Sequence, residues 1–161
     1  MSGRRSFLDE IDIKILNLLQ EDCRTSLDKI AEQLPVAKST VQYRIKRLEE
    51  EGIIEGYHAK INASKLGYDL LVAVNVRANF GPGYHDKVGN KLAQLPGVIA
   101  VYFIFGESDF IVLIRGKDRR ELFKKMKMLY DLEGIERVNT NVVTEIIKDN
   151  PRIIFNLEKQ P

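Results

Sequence analysis

Apolar residues recur at helical spacing in three short stretches of the N-terminal part of the chain. Asp9 is a suitable N-cap for the first stretch, which predicts a helix that runs to about Gln20. Thr25 or Ser26 can cap the second stretch, and Pro35 stops it. Each helix would bury one stripe of apolar side chains. The stripes are Ile11, Ile15, Leu18 and Leu19, then Leu27, Ile30, Ala31 and Leu34, and then Val41, Ile45 and Leu48.

The third stretch predicts a helix from about Lys38 to Glu51 that ends at a glycine. Ala37 offers no side-chain cap, so the helix could instead begin one residue later with Ser39 as its cap. Residues 53–61, IIEGYHAKI, predict an extended segment that serves as a wing or a linker strand. Three short helices with a tight turn before the last are the pattern of a helix-turn-helix DNA-binding domain.

The pattern changes near Gly67, where apolar runs of strand length alternate with amphipathic helical stretches. The order is strand, helix, strand, strand, helix, strand, which is the split βαβ arrangement of a ferredoxin-like sandwich. The fold class is therefore α+β, a winged helix-turn-helix domain followed by a ferredoxin-like βαββαβ domain. Both helices would cover one face of the sheet, so the open face favours a dimer in which two sheets stack. The predicted strands are 70–80, 98–105, 110–115 and 137–147, and the predicted helices are 84–94 and 119–132.

The chain of 161 residues divides into a helix-turn-helix domain over 1–52, a linker strand over 53–66 and a ferredoxin-like domain over 67–161. Its hydrophobic content of 44% can fill two cores, and its charged content of 30% argues against a membrane protein and a disordered chain. No apolar run has the length of a membrane span and the first residues do not form a signal peptide, so we expect a cytoplasmic protein. The lone cysteine and the two histidines lack the spacing of a zinc site, and we expect no metal and no cofactor.

The charge of the chain is informative only in its distribution. The net charge is +2, which is too small for a bulk attraction to nucleic acid. The outer face of the third helix nevertheless carries four cations and four uncharged hydrogen-bonding side chains, the chemistry of a recognition helix in the major groove, although a solvated helix face would show similar charges. Arg4 and Arg5 add a basic arm. We assign phosphate binding to Lys38, Arg44, Lys46 and Arg47, and base reading to Ser39, Thr40, Gln42 and Tyr43.

Five short motifs follow one another along nearly the whole chain. They are Leu8-Asp9-xx-Asp12-x-Lys14-Ile15-Leu16, RIKRLEEEGII over 44–54, Lys65-Leu66-Gly67, Leu95-Pro96-Gly97-Val98 and Gly106-xx-Asp109. Together they resemble the Lrp/AsnC family of leucine-responsive and feast/famine regulators. The resemblance implies a DNA-binding domain followed by a domain that oligomerises and binds amino acids. It also implies dimers that assemble into tetramers or octamers, with a palindromic double-stranded DNA operator and a free amino acid as further partners.

The Gly106-xx-Asp109 motif offers chemistry for a free amino acid. A glycine turn exposes backbone N–H groups that can bind a carboxylate, and Asp109 can pair with an ammonium group. Thr140 could add a hydroxyl from the last strand, where Val138 occupies a position that is often threonine in the family. Gly, Ser and Asp are also ordinary hairpin-turn residues, which is the alternative interpretation. With the family resemblance we favour an effector site formed by Gly106, Glu107, Ser108, Asp109 and Thr140.

Two other functions fit parts of the sequence. Siroheme decarboxylases are similar in architecture to this family and carry out chemistry in their second domain, and His85 is the one candidate acid or base for such a reaction. No catalytic triad order, phosphate-binding glycine loop or paired-carboxylate motif stands out, so we expect no enzyme. An architectural protein that coats DNA is the other alternative, and the polar set on the third helix favours direct base reading over it. The sequence therefore predicts a sequence-specific transcription regulator that is modulated by a small amino acid.

Overall fold

The structure is a computed structural model that describes residues 8–153 and residue 155. Arg4 and Arg5, the expected basic arm, lie outside the described residues. The pattern of contacts divides the chain into two compact units, each with its own hydrophobic core. The first unit combines Met1–Lys60 with Asp149–Pro161, and the second unit is Ile61–Lys148.

The C-terminal segment is grouped with the first unit. The side-chain amide of Gln20 accepts a hydrogen bond from the Ile153 backbone N–H at 2.7 Å and donates one to the Ile153 carbonyl at 3.1 Å. The Lys60 ammonium donates to the Asp149 carbonyl at 2.9 Å. This grouping differs from the expected organisation, in which 67–161 formed one domain. The contacts join residues that are far apart in the chain, so no local sequence pattern predicts them.

Three helices form the described helical part of the first unit, as their apolar spacing predicted. They are α1 Glu10–Glu21, α2 Leu27–Glu32 and α3 Lys38–Glu50. The apolar stripes of the three helices meet in a single core, so the helix-turn-helix arrangement is confirmed. The buried members of this core are Ile15, Leu16, Ile30, Leu34, Val41 and Leu48.

The helix starts show how each helix is capped. Asp9 accepts the Asp12 N–H at 2.9 Å and Asp12 accepts the Asp9 N–H at 3.1 Å, which together form a capping box at the start of α1. Ser26 caps α2 through a backbone N–H of the first turn at 3.4 Å. Ala37 is the N-cap of α3 and makes no side-chain hydrogen bond, so the alternative start capped by Ser39 is wrong.

Residues 53–61, which were expected to be extended as a wing or linker strand, form no strand in the structure. Gly52 adopts a φ of 68° just after α3. The N–H groups of Ile53 and Ile54 then both donate to the Leu48 carbonyl, at 2.9 and 3.0 Å. Because these bonds turn the chain back onto the helix end, both isoleucine side chains pack against the core of the first unit.

The second unit has the predicted βαββαβ order. Its elements are β1 Leu70–Ala78, α4 Tyr84–Ala93, β2 Val98–Phe103, β3 Phe110–Gly116, α5 Arg119–Tyr130 and β4 Ile135–Val142. A short 3-10 helix at Ser64–Leu66 precedes them. Within the described residues the four strands form one sheet in the order β2-β3-β1-β4, with every neighbouring pair antiparallel. This is the ferredoxin-like arrangement expected from the sequence.

The two faces of the sheet differ in what covers them. Val72, Val74 and Val76 alternate along β1 and are fully buried in the core of the second unit. The intervening side chains on the opposite face are only half-buried. Four of them are apolar, Leu71 and Ala73 in β1 and Ile111 and Leu113 in β3, whereas Asn75, Arg77 and Arg115 are polar. Among the described residues, no helix is both long enough and apolar enough to cross a membrane.

Candidate nucleic-acid interface and effector site

The outer face of α3 is open to solvent and carries most of the predicted DNA-binding side chains. Lys38, Ser39, Gln42, Tyr43 and Lys46 are exposed, and 66% of the Tyr43 surface is accessible. Thr40 is half-buried beside them. Helical periodicity places these groups opposite the buried stripe of the same helix. A cationic face with amide, hydroxyl and phenol groups can contact both phosphates and base edges.

The two lysines of this face have only weak partners. The Lys38 ammonium lies 2.8 Å from a carboxylate oxygen of Asp28, and both side chains are more than half exposed. The Lys46 ammonium lies 3.6 Å from Glu50, one turn further along α3. Exposed ion pairs of this kind contribute little to stability. Both ammonium groups can therefore exchange these partners for a phosphate at small cost.

The two arginines of α3 are bound differently. Arg44 contacts Asp9 at 2.6 Å and Asp12 at 2.8 Å, and Arg47 contacts Asp12 at 2.6 Å. Asp12 is only 1% exposed, so both guanidinium groups are bound to a buried carboxylate of α1. Arg44 and Arg47 were expected to bind phosphates, and their network with α1 was not predicted from the sequence. The equal i,i+3 spacing of Asp9 with Asp12 and of Arg44 with Arg47 was the signal, since it puts each pair on one helix face.

The ion pairs shift the protonation equilibria of their members. Burial alone would raise the pKa of Asp9, but the Asp12 N–H and the Arg44 guanidinium together lower it below its ordinary value. Hydrogen bonds to Asp9 and then to Asp12 raise the pKa of Arg44. Asp9 and Arg44 therefore stay charged at neutral pH. Hydrogen bonds from Arg44 and Arg47 to Asp12 hold α3 against α1.

In the second unit, the turn from Gly106 to Asp109 is held by backbone and side-chain contacts from β1. The Asp109 carboxylate accepts the Ala78 N–H at 2.8 Å and the Tyr84 hydroxyl at 3.2 Å. The Arg77 guanidinium donates to the Glu107 carbonyl at 2.9 Å, and its Nε lies 3.7 Å from Asp109. An acidic and a basic side chain are thus both present at the predicted effector turn.

Sequence reasoning missed the residues that surround this turn. Partial burial and then the nearby Asp109 carboxylate raise the pKa of Tyr84, so its phenol stays protonated and donates to Asp109. Arg137 on β4 lies 3.3 Å from the Glu107 carboxylate. Arg77 and Arg137 are opposite each other in the register of β1 and β4. The pairing of these strands cannot be read from either strand alone, which is why neither arginine was assigned.

Thr140, the remaining predicted effector residue, is not brought to the turn by any recorded contact among the described residues. It pairs with Val74 in the register of β1 and β4, and Val74 is fully buried under the helices. The Thr140 hydroxyl lies 3.4 Å from the Tyr130 hydroxyl of α5. Its side chain therefore belongs to the helix-covered side of the sheet.

An exposed group of aromatic rings adjoins the turn. We call it the aromatic cluster, and its members come from four different segments of the chain. Successive ring centroids lie 5.3 to 6.1 Å apart, and two of the rings, Phe80 and Phe105, are 92% and 96% exposed. His85, the candidate acid or base, lies 3.4 Å from Asp86 and belongs to this cluster. The members are Phe80, Tyr84, His85, Phe103 and Phe105.

No group of three or more His, Cys, Asp or Glu side chains that could hold a metal ion occurs in the part of the chain that the structure describes.

Comparison with known proteins gives matches across both units. Residues 8–55 match the family model described as winged helix-turn-helix DNA-binding, and residues 71–153 match the Lrp/AsnC ligand binding domain. The chain is 36% identical to an uncharacterized HTH-type transcriptional regulator of Pyrococcus abyssi, over 91% of this chain and 98% of the relative. It is 34% identical to the HTH-type transcriptional regulator FL11 of Pyrococcus furiosus, over 92% and 97%.

A solved structure agrees with these matches. The feast or famine regulatory protein Rv3291c from M. tuberculosis, complexed with L-methionine, superposes with a TM-score of 0.82 at 26% identity. The superposition covers 91% of this chain and 99% of that one. The similarity therefore extends over both units.

Proposed function

The chain belongs to the Lrp/AsnC family of transcriptional regulators, with a winged helix-turn-helix domain and an Lrp/AsnC ligand-binding domain, and on that premise we propose how it works. It binds a palindromic operator as a dimer or larger homo-oligomer through the exposed face of α3. A free amino acid that binds beside the Gly106–Asp109 turn changes its assembly or its DNA affinity. The family favours this regulatory function over the siroheme-decarboxylase alternative. We expect the protein to act with its DNA in the cytoplasm.

The exposed polar face of α3 is the observation that carries the DNA-binding proposal. Ser39, Thr40, Gln42 and Tyr43 read base edges, because their tips are uncharged donors and acceptors on the solvent side of the helix. Lys38 and Lys46 bind phosphates, because their ammonium groups have only exposed partners.

Arg44 and Arg47 have a second role in this proposal. Each guanidinium forms an ion pair with Asp12 of α1, so the main role of the two arginines is to fix the angle of α3 on α1. They add positive charge to the DNA-facing side without having to leave their carboxylate partners. The phosphate contacts first assigned to them are therefore expected to be weaker than those of Lys38 and Lys46.

Four half-buried apolar side chains on the open face of the sheet support self-association. Leu71, Ala73, Ile111 and Leu113 lie together on this face, opposite the helices. Stacking two such faces would remove this apolar surface from water. A dimer would also present two copies of α3, which a palindromic operator requires at a spacing of about one helical turn of DNA, roughly 34 Å.

Each range of residues is assigned its own function. Residues 1–52 bind DNA, 53–66 link the domains, and 67–161 contain the effector and oligomerisation surfaces. The described residues from Asp149 onward pack with the DNA-binding unit, so the C-terminal segment is the exception to this assignment.

The effector proposal is supported by the ligand-binding domain and by the chemistry of the turn. Rv3291c, a similar protein, was solved in complex with L-methionine. In this chain Asp109 offers a carboxylate for the ammonium group of an amino acid. Arg77 offers a cation near the same place. Thr140 takes no direct part, because its hydroxyl contacts Tyr130.

Binding measurements with matched variants test the α3 assignment. An operator is first selected from a random duplex library, and affinities of the full chain for it and for a scrambled duplex are measured by fluorescence anisotropy. Gln42→Ala and Tyr43→Ala should reduce the preference for the operator by about 5- to 150-fold, because a specific base contact discriminates by roughly 1–3 kcal/mol. Lys46→Ala should weaken binding to both duplexes and reduce the salt slope by about one.

Gln94→Ala is the matched control, since Gln94 is exposed and lies at the end of α4 in the other unit. It should bind both duplexes like the parent chain. If Gln42→Ala, Tyr43→Ala and Lys46→Ala all kept both affinities within about twofold of the parent, which is roughly 0.4 kcal/mol, α3 would not be the recognition helix.

A further inference from the structure

We propose that the effector is an amino acid with a large aromatic side chain, whose ring packs on the aromatic cluster while its ammonium and carboxylate groups bind at the Gly106–Asp109 turn. This inference rests on the proposed function, because it assumes that the turn is the effector site. It adds the chemical class of the ligand, which neither the family nor the turn specifies.

The polar end of the site fits the zwitterion of any amino acid. Asp109 accepts hydrogen bonds from Ala78 and Tyr84, and a carboxylate can accept about four, so room remains for an ammonium donor. Among the described residues, none accepts a hydrogen bond from the backbone N–H groups of Gly106, Glu107 and Ser108. The space beside the Gly106 Cα is open, with no other atom within 4 Å of a Cβ built there. A ligand carboxylate could therefore approach these N–H groups.

Tyr84 connects this polar end to the aromatic cluster. Its hydroxyl lies 3.2 Å from Asp109, while its ring lies 5.3 Å from the ring of Phe80 and 6.1 Å from that of Phe103. One phenol ring thus spans the distance from the carboxylate to the other rings. If the ammonium group of an amino acid binds Asp109, its side chain can lie beside the rings of the aromatic cluster.

The exposed rings favour an aromatic side chain. Phe80 and Phe105 are 92% and 96% exposed, and both lie next to rings that are partly buried. Large exposed apolar groups that adjoin one another usually mark a binding surface. An added ring would gain edge-to-face or offset contacts with several rings at once, in addition to the burial of apolar surface. A small or polar side chain would leave Phe80 and Phe105 in water.

The charges around the turn act against basic amino acids. Arg77 and Arg137 both bind Glu107, one through its backbone carbonyl and the other through its carboxylate. A second positive charge on the ligand would lie near these two guanidinium groups and be repelled. An aromatic side chain carries no charge and avoids this repulsion.

Calorimetric titration of the full chain tests the inference. The probes are L-phenylalanine, L-tyrosine and L-tryptophan, with L-methionine, L-leucine, L-lysine and D-phenylalanine for comparison. At least one aromatic L-amino acid should bind ten times more tightly than the other probes, or better. Phe80→Ala and Phe105→Ala should each weaken its binding about tenfold, since one aromatic contact with its burial corresponds to roughly one decade in Kd.

Phe123→Ala is the matched control, because Phe123 is 73% exposed on α5 and lies outside the cluster. It should bind the aromatic amino acid like the parent. Asp109→Asn should abolish the binding of every amino acid. Since Phe80 and Phe105 are almost fully exposed, their replacement should leave the melting temperature of the ligand-free chain unchanged.

The possible failures are distinguishable. If methionine, leucine or lysine binds most tightly, and Asp109→Asn but not Phe105→Ala abolishes it, the effector site stands and the aromatic inference is wrong. If no amino acid binds, both the effector proposal and this inference are overturned. If Phe80→Ala and Phe105→Ala change the oligomeric mass in light scattering but not ligand binding, the cluster is a contact between copies of the chain and the inference is again wrong.

Discussion

Replacement of Asp12 by asparagine should destabilise the first unit more than any other single carboxylate-to-amide change there. The Asp12 side chain is 1% exposed and accepts hydrogen bonds from the Asp9 N–H at 3.1 Å, from Arg44 at 2.8 Å and from Arg47 at 2.6 Å. Asparagine has nearly the same shape but only one acceptor oxygen. Its NH₂ group would face a guanidinium donor, and one of the arginines would lose its partner.

The size of the effect follows from the exposure of the partners. Removing one member of a buried ion pair typically costs about 3–5 kcal/mol. The Arg44 and Arg47 side chains are 18% and 31% exposed, so water can replace part of the lost interaction. Arg44 also keeps its contact with Asp9 at 2.6 Å. We therefore expect a loss of about 2–3 kcal/mol in the free energy of unfolding of the first unit.

Hydrogen-exchange mass spectrometry of the full chain measures this loss unit by unit. Protection of the α1 and α3 amides should fall by about 30- to 150-fold, which is 2–3 kcal/mol at roughly 1.36 kcal/mol per decade, while protection in β1 stays unchanged. Glu10→Gln is the matched control, because Glu10 is exposed in the same helical turn. Should Asp12→Asn and Glu10→Gln lose the same protection, the buried network would not hold α3 to α1.

Three substitutions and one pH titration test other parts of the structure. Gly97→Ala should destabilise the second unit by about 2–4 kcal/mol in chemical denaturation, because its φ is +80° and a Cβ would lie 2.6 Å from a β3 carbonyl oxygen. Gly52→Ala has a similar φ of +68° but open space, so a loss of only about 1–2 kcal/mol is expected, and equal losses would contradict the steric argument. Burial and then a bond to a carboxylate raise the pKa of Tyr57 to about 12. The stabilisation from its neutral phenol should be complete below pH 10 and lost as the pH rises through about 12. An absorbance titration that gives Tyr57 an ordinary pKa would refute its contact with Glu49. Gln20→Ala should accelerate amide exchange at Ile153, which its side chain binds at 2.7 Å, and unchanged exchange would mean that this amide does not hold the C-terminal segment.

The order of helices and strands could be predicted from the sequence, because the helical and the strand periodicities of the apolar residues are both strong. The residues at which the strands end could not be predicted. The apolar runs suggested strands over 70–80 and 137–147, but β1 ends at Ala78 and β4 at Val142. The register of this pair shifts between Arg77 and Ala78. Where a strand stops depends on where its partner stops, and that is a tertiary property.

The candidate sites were predictable to a similar extent. Helical periodicity correctly placed Gln42 and Tyr43 on the exposed side of α3, because the buried stripe fixes the orientation of the whole helix. The binding of Arg44 to Asp12 depends on how α3 packs on α1, which no local pattern contains. Thr140 was assigned to the effector site, yet its face of the sheet is set by its register with β1. Strand alternation gives two faces but not which one is covered.

The aromatic cluster was invisible in the sequence for a related reason. Phe80, Tyr84, Phe103 and Phe105 are separated along the chain and show no common spacing. The sheet order and strand directions bring the end of β1, the start of α4 and the end of β2 to the same end of the sheet. Only the topology therefore reveals that these rings adjoin one another and the Gly106–Asp109 turn.

The central claim is that this chain recognises a particular DNA sequence, and a comparison of operator and scrambled duplex measures it most directly. The 161-residue chain is titrated into each duplex at several salt concentrations, and binding is followed by fluorescence anisotropy. We expect the selected operator to bind at least about 1,000-fold more tightly than the scrambled duplex at physiological salt, with both affinities falling as salt rises. Equal affinities for the two duplexes at every salt concentration would contradict the account and support an architectural DNA-coating protein instead.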